Sequence, residues 1–467
     1  MTEPVSHNVG SARLGADENA TGEASPLTIN SSKLPKPADV PKADRPLKIC
    51  LVYSRTPLPM RRADQMTVAH LLAFLHARGH QVDFFYVDTG SEPTQSDREW
   101  IADNTREAYQ FKLDAWSILC GLTRVATRFL PFQVGLFSHP GQMRSVRAAV
   151  ASQDYDIVYT YYFRSAEITK DIGFEPSVPK SRRKGRPATF LAFQLSQTLN
   201  ATRIAKNAPD LKNKIFYEIE SRLVRYYEAR IWRHFTRTVL IGKSDVEEIK
   251  KACRHSGVAE IDNYVYGAHG TDVGRFKPQS DVAIKPDHLV FSGVMRTPTN
   301  VQAVQWFVKN VWPLIRAKRP TATFAIVGRE PTSDIKELAK LPGIVVTGAV
   351  PDTAAFIAEA SVCINPMQAG GGMQNKLIEF MACGKPVVAT SVANEGIGAP
   401  ADCLMSADTP QDFARAVLDL FGDQRRAGEM GQRARAYVRS HWTWEAHYLK
   451  LEQNFYDALD NEVFSVS

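Results

Sequence analysis

Lys376 and Glu379 stand one helical turn apart, directly behind three consecutive glycines, Gly370, Gly371 and Gly372. That grouping has a definite chemistry. The glycines let backbone N–H groups approach a ligand with no Cβ in the way. Apolar Leu377, Ile378, Met381 and Ala382 follow at helical spacing and predict a helix over 373–383, so the glycines deliver the ligand to a helix N-terminus. Free N–H groups and the positive end of the helix dipole favour an anion there. Lys376 adds an ammonium in the first turn. Glu379 is unsuited to a phosphate but can accept hydrogen bonds from a ribose diol. Gln374 and Asn375 supply further polar groups at the same end. The segment reads as a holder for a nucleotide diphosphate.

Two common phosphate loops fail on spacing. A dinucleotide fingerprint needs a third glycine where Asn375 stands, and a Walker loop needs Ser or Thr where Pro386 follows Gly384-Lys385. An ordinary amphipathic helix in an α/β sheet accounts for Leu377, Ile378 and Met381. It leaves the glycine run and the Lys–Glu pair without a reason.

The elements around this segment alternate. Residues 1–45 are rich in Ser, Pro, Ala, Thr and charge without periodicity, and are expected to be a disordered tail. A buried strand is predicted over 47–53, a helix over 64–78 closed by Gly79, and a strand over 81–87. Further strands are expected over 156–162, 188–194 and 236–242, with a long helix over 211–234. The pattern restarts with strands over 288–292, 323–327, 343–347, 361–365 and 385–390. Gly384 marks the end of the Lys376 helix.

With these residues in view, the run from Gly370 to Thr390 resembles the C-terminal signature of the family 4 glycosyltransferases of GT-B fold. The family's G-x-P-V-V-A-T run is here Gly384-Lys385-Pro386-Val387-Val388-Ala389-Thr390, and the chain is most similar to a bacterial subgroup tied to exopolysaccharide and exosortase systems, through Gln374-Asn375-Lys376 and Glu379. The family's first glutamate, eight residues before Glu379, is here Gly371. The resemblance implies an α/β protein with two Rossmann-like doubly wound domains facing a cleft. The expected division is a tail over 1–45, an acceptor-side domain over 46–272, a nucleotide-sugar domain over 273–440, and a terminal helix over 441–467 crossing back to the first domain.

By the same resemblance, Arg296 and Lys376 neutralise the departing diphosphate and are the catalytic expectation. Gly328, Arg329 and Val350 lie in donor-side loops beside Gly370, Gly371, Gly372, Gln374, Asn375 and Glu379. Asp352 fits helix capping better than ligand contact, and Asn300 is open to either role. Arg61, Arg62, Tyr161 and Arg164 are assigned to the acceptor side. The family's usual histidine is absent there, its place taken by Tyr161-Tyr162-Phe163-Arg164.

Composition sets the outer limits. At 467 residues, 44% hydrophobic and 23% charged, the chain is expected to be a soluble two-domain protein. It lacks an apolar run long enough to span a bilayer. Its opening Met1-Thr2-Glu3-Pro4 lacks signal-peptide character, so a cytoplasmic place is expected, with the inner face of the plasma membrane within reach. Six scattered cysteines read as core thiols. Asp154-Tyr155-Asp156 has the spacing of a metal motif but precedes a strand, so no metal or other cofactor is expected.

The charge is uneven. Residues 45–273 hold 33 lysines and arginines against 24 aspartates and glutamates, whereas 274–467 hold 20 of each. A basic first domain suits an anionic lipid surface or a diphosphate-linked acceptor. The densest basic run is Lys180 to Arg186. No nucleic-acid motif accompanies the charge. The stretch 109–137, with Phe111, Trp116, Ile118, Leu119, Leu122, Phe129 and Arg124 and Arg128, fits a membrane-interface helix and a core helix equally well.

The reading is a glycosyltransferase that moves a sugar from a nucleotide-diphosphate donor to a glycan or lipid-linked acceptor. Retention without a metal is implied, in exopolysaccharide or lipopolysaccharide synthesis. Its rivals are a nucleotide-sugar epimerase of the same fold and a non-catalytic component of a polysaccharide assembly complex.

Overall fold

The computed structural model describes residues 34–35, 40–60, 62–90, 93–173, 186–194, 196–198, 211–260, 262–267, 270–368 and 373–460. Among the described residues, thirteen strands form two sheets. The first contains β1 (Lys48–Tyr53), β2 (Gln81–Asp88), β3 (Glu107–Lys112), β4 (Ile157–Tyr161), β5 (Ala188–Gln194), β6 (Arg237–Leu240) and β7 (Tyr264–Tyr266), in the order β3-β2-β1-β4-β5-β6-β7. The second contains β8 (His288–Ser292), β9 (Thr323–Val327), β10 (Ile344–Gly348), β11 (Val362–Asn365), β12 (Val387–Ala389) and β13 (Met405–Ser406), in the order β10-β9-β8-β11-β12-β13. Every pairing is parallel. The two doubly wound α/β units expected from the strand–helix alternation are therefore present.

The strands are apolar runs because helices cover both faces of a parallel sheet. β1, β4, β5, β8 and β11 are buried almost throughout. Each sheet reverses its winding once, beside β1/β4 and β8/β11, and a crevice opens at the carboxyl ends of those strands. Tyr53 and Tyr161 end the first pair; Ser292 and Asn365 end the second.

Three strands escaped the sequence reading: β3, β7 and β13. The residues of β3 are largely exposed at a sheet edge, so no buried run announces it. The other two are three and two residues long. The Lys376 helix is Asn375–Ala382, two residues later at its start than predicted. Its end is as expected. Gly384 sits at φ +69°, and its N–H and that of Lys385 return to Met381 and Phe380.

The last helix, Trp444–Asp460, packs on the first unit. Trp444, Tyr448, Leu451 and Phe455 join the core that contains β1 and β4, and the Phe455 ring meets Phe190 edge-on at 4.9 Å. Buried Glu452 accepts from Arg78 Nε at 2.9 Å and contacts His80 Nε2 at 2.6 Å. His80 Nδ1 accepts the Leu47 N–H at 3.0 Å, so Nε2 carries the hydrogen and donates to Glu452. Burial also holds the His80 pKa below its ordinary value, in keeping with a neutral ring. The chain crosses between units where Thr271 N–H bonds to Trp442 O at 2.8 Å.

All six cysteines are free thiols, five of them buried. Burial pushes the Cys383 thiol up to about 12, which makes it an inert core group.

Candidate functional site

The floor of the second crevice is built by close backbone approach. Gly328, at φ +149°, leaves β9 so near Gly293 that a Cβ would stand 1.7 Å from the Gly293 carbonyl oxygen. Gly293 N–H bonds back to Val327 O at 3.0 Å, and Met295 N–H to Arg329 O at 2.9 Å. A Cβ on Gly293 would strike Asn300 Nδ2 at 2.7 Å. These two glycines are required so that the exits of β8 and β9 can touch and Asn300 can lie over them.

Asn300 is not a helix cap. It belongs to the first turn of the Pro298–Asn310 helix, whose N-cap position is Thr297. Its Nδ2 donates to Val294 O at 3.0 Å, and its Oδ1 accepts from Lys376 Nζ at 2.6 Å. The Lys376 ammonium also lies 4.2 Å from the centre of the Phe291 ring. The side chain thus runs from the start of its own helix to the exit of β8, spanning the switch point.

Lys376 does not carry the fixed charge that its type suggests. The residue as a whole is half-buried, but its ammonium end is the deep part, and burial lowers its pKa to about 7. Glu379, one turn on, is raised to about 7 by burial, opposed by Arg275 and then by Lys376. At neutral pH the Lys376–Glu379 pair therefore stands between charge states. A bound diphosphate would draw Lys376 to its charged form.

The remaining donor-side expectations divide. Gln374 is the N-cap residue of the Lys376 helix, half-buried, and Asn375 is exposed in its first position. Gly370, Gly371 and Gly372 lie outside the described residues. Val350 is half-buried against the second core. Asp352 caps the Thr353–Glu359 helix, accepting Ala354 N–H at 3.1 Å, as anticipated. Arg296 and Arg329 are both exposed on the loops they were assigned to. Arg296 Nε is paired with Glu330 at 2.7 Å and must leave that carboxylate to meet a ligand.

Two groups were missed. Arg275 lies in the crossover segment, 3.4 Å from Asp352, and its charge acts on Glu379. No motif marks it; only the fold brings it there. Asn365, at the end of β11, is fully buried, and neither of its carboxamide atoms has a hydrogen-bond partner among the described residues. A polar residue closing an apolar strand was its only sequence signal.

The first crevice holds a second cluster, at the exits of β1 and β4. Asp64 Oδ2 accepts from Tyr53 OH at 2.8 Å and Arg55 at 2.7 Å, with Arg164 Nη2 at 3.6 Å. Arg164 is buried, donates from Nε to Ser54 Oγ at 2.7 Å, and lies over the Phe137 and Tyr162 rings. Burial, then Arg55, lowers its pKa. Two guanidinium groups face one carboxylate. Tyr161 is fully buried with its ring edge-on to Tyr53, so it forms the wall behind the cluster and not an acceptor contact. Arg62 is exposed at the start of the Ala63–Arg78 helix; Arg61 lies outside the described residues. So do Lys180 to Gly185 of the basic run, while Arg186 is exposed.

Asp154 and Asp156 sit at the opposite end of β4 from the crevice, with Asp156 accepting Lys48 N–H at 2.8 Å. No group of three metal-ligating side chains occurs among the described residues.

Residues 286–423 match the family described as "Glycosyl transferases group 1". A protein from the cps region of Klebsiella pneumoniae, described as uncharacterized, is 20% identical over 410 residues, covering 85% of this chain and 96% of that one. Among solved structures, a glycosyltransferase from Rickettsia africae superposes with a TM-score of 0.55 at 12% identity, over 89% of this chain and 99% of its own. HepE of Anabaena, determined with UDP and glucose, gives 0.54 at 12% identity over 88% and 100%. Sucrose-phosphate synthase of Thermosynechococcus elongatus gives 0.53 at 16% identity over 88% and 98%. At such identities the likeness establishes the architecture, and it is the two-domain GT-B fold.

Proposed function

We propose that this chain, with a group 1 glycosyltransferase segment in a GT-B frame, transfers a sugar from a nucleotide-diphosphate donor to a glycan or lipid-linked acceptor. The observation that carries the reading is the reach of Lys376 from the start of its helix to Asn300 at the exit of β8. A diphosphate lodged at that helix start meets backbone N–H groups, the helix dipole and an ammonium together. As the glycosidic bond breaks, charge grows on the leaving phosphate, and groups already in place to receive it lower the barrier. Glu379, one turn deeper, takes the ribose hydroxyls. Arg296 closes over the phosphates once it leaves Glu330.

The acceptor side follows from charge. Arg55 and Arg164 outnumber Asp64, so the exit of β1 and β4 favours an anionic group on the acceptor, such as the diphosphate of a lipid-linked saccharide. Retention of anomeric configuration, independence of metal, and a role in capsule-like or exopolysaccharide synthesis belong to the same proposal; the cps-region relative supports the last of these. UDP is the first nucleotide to test, because HepE is seen with it.

A thermal-shift panel of UDP, GDP and their sugars tests the reading. Ligand at a hundred times its Kd adds about 2.7 kcal/mol to the folded state and raises the melting point. No shift with any nucleotide would remove the donor site. Turnover of the stabilising sugar nucleotide without any acceptor would favour the epimerase rival.

A further inference from the structure

One helix of the first domain is turned inside out. In Ala115–Arg128 the buried residues are Ser117 and Gly121, and Gly121 packs so tightly that a Cβ would lie 2.8 Å from Gly135 O. Its large apolar side chains point away from the protein: Trp116 is 67% exposed, Leu119 53%, and Phe129, just past its end, 72%. A helix that serves only the core does the reverse. The core reading of this stretch therefore fails, and its apolar side needs another partner.

The surface continues onto Leu211–Ile231, where Ile215, Phe216 and Ile219 are exposed. The two are joined: the Phe132 ring meets Phe216 edge-on at 5.7 Å, and Glu220 accepts Phe132 N–H at 2.8 Å. Charge is distributed just as unevenly. Between Asp114 and Asp154 the chain has four arginines and not one carboxylate. Arg128 and Arg147 both act on Arg124, so three of the four stand near one another; Arg128 lies 3.9 Å from Glu167 and Arg147 3.7 Å from Asp171, loose pairs whose exposed guanidinium groups stay open to headgroups.

We propose that this face is a docking surface for an anionic lipid bilayer, with Trp116, Leu119 and Phe129 entering the interface and Arg128 and Arg147 meeting lipid headgroups. An amphipathic helix with a basic border and outward aromatic residues lies in the interface plane in this manner. A second copy of the chain fits less well. A two-fold contact would set the same patch against itself and bring one arginine group onto the other. The docked face also touches the acceptor side directly, since Phe137, from the next helix, lies 4.4 Å from the Arg164 guanidinium. Docking itself stands apart from the transferase reading. Its consequence, that a lipid-linked acceptor enters beside Arg164, rests on that reading.

The test is flotation of the full chain with vesicles of phosphatidylcholine alone and of equimolar phosphatidylcholine and phosphatidylglycerol. The wild type should float with the anionic vesicles and be released by added salt. A Trp116→Ser, Leu119→Ser variant and, separately, an Arg128→Gln, Arg147→Gln variant should each lose about tenfold in vesicle partition, with an unchanged melting point. Equal partition into both vesicle types, or none, overturns the proposal. Concentration-dependent dimers that the first variant abolishes, without flotation, assign the face to a second copy instead. The nucleotide-induced thermal shift, read on the same samples, reports the donor site independently of either result.

Discussion

Lys376 Nζ stands 2.6 Å from Asn300 Oδ1, and Asn300 is in turn fixed by Val294 O at 3.0 Å. The pair joins the two strand exits between which the second sheet reverses its order. Asn300 accepts a hydrogen bond from the ammonium in an otherwise desolvating place, an interaction that favours its charged form.

Replacing Asn300 by Ala should lower the Lys376 pKa further, because the charged form loses its partner while its burial remains. A charge-assisted hydrogen bond of about 1.5 kcal/mol corresponds to about one pH unit. Calorimetric titrations with the stabilising nucleotide, repeated across pH, should show the midpoint for binding moving down by that amount. An unmoved midpoint removes Asn300 from the site.

In the wild type, nucleotide affinity should depend on pH with a definite sign. Lys376 is lowered to about 7 in the free protein, and a bound diphosphate favours its charged form. Binding then takes up a proton above about pH 7, and affinity falls by up to about tenfold per pH unit as pH rises. Affinity that climbs with pH would mean that Lys376 does not meet the phosphates.

Glu330 holds Arg296 in an ion pair at 2.7 Å. If Arg296 clamps the donor, Glu330→Ala should tighten nucleotide binding by a few-fold, since an exposed ion pair of this kind is worth about 0.2–1 kcal/mol. Arg296→Ala should lower turnover and make the second substitution silent. Independent, additive effects in the double variant would place Arg296 away from the phosphates.

Glu452 should matter for stability and not for chemistry. It is the buried carboxylate to which Arg78 and His80 both donate, and it ties the terminal helix to the first unit. Glu452→Ala strands Arg78 and should cost about 3 kcal/mol in urea unfolding. A change below about 1 kcal/mol would show that apolar packing around Phe455 holds the helix alone.

Most strands of both sheets were legible because parallel sheets buried on two faces produce continuous apolar runs, and helices between them carry period and caps. The edges were not. Strand β3 exposes most of its residues and β13 has two, so neither leaves a pattern. The site was half legible. Lys376 and Glu379 declare themselves by type and spacing, and Asp352 by its capping position. What sequence could not give was environment. It made Lys376 a permanent cation, whereas burial lowers its pKa to about 7; it made Tyr161 a contact, whereas the strand turns it into the core. Arg275 and Asn300 reach the site only through tertiary approach. The outward side of 115–128 was legible as amphipathic, but which way it faced waited for Gly121 and Gly135 to be seen in contact.

The most direct test of the central claim is a crystal structure with a bound nucleoside diphosphate. Both phosphates should lie at the start of the Asn375–Ala382 helix, with Lys376 Nζ drawn onto a phosphate oxygen and the ribose at Glu379. Phosphates bound elsewhere, with Lys376 still resting on Asn300, would contradict it.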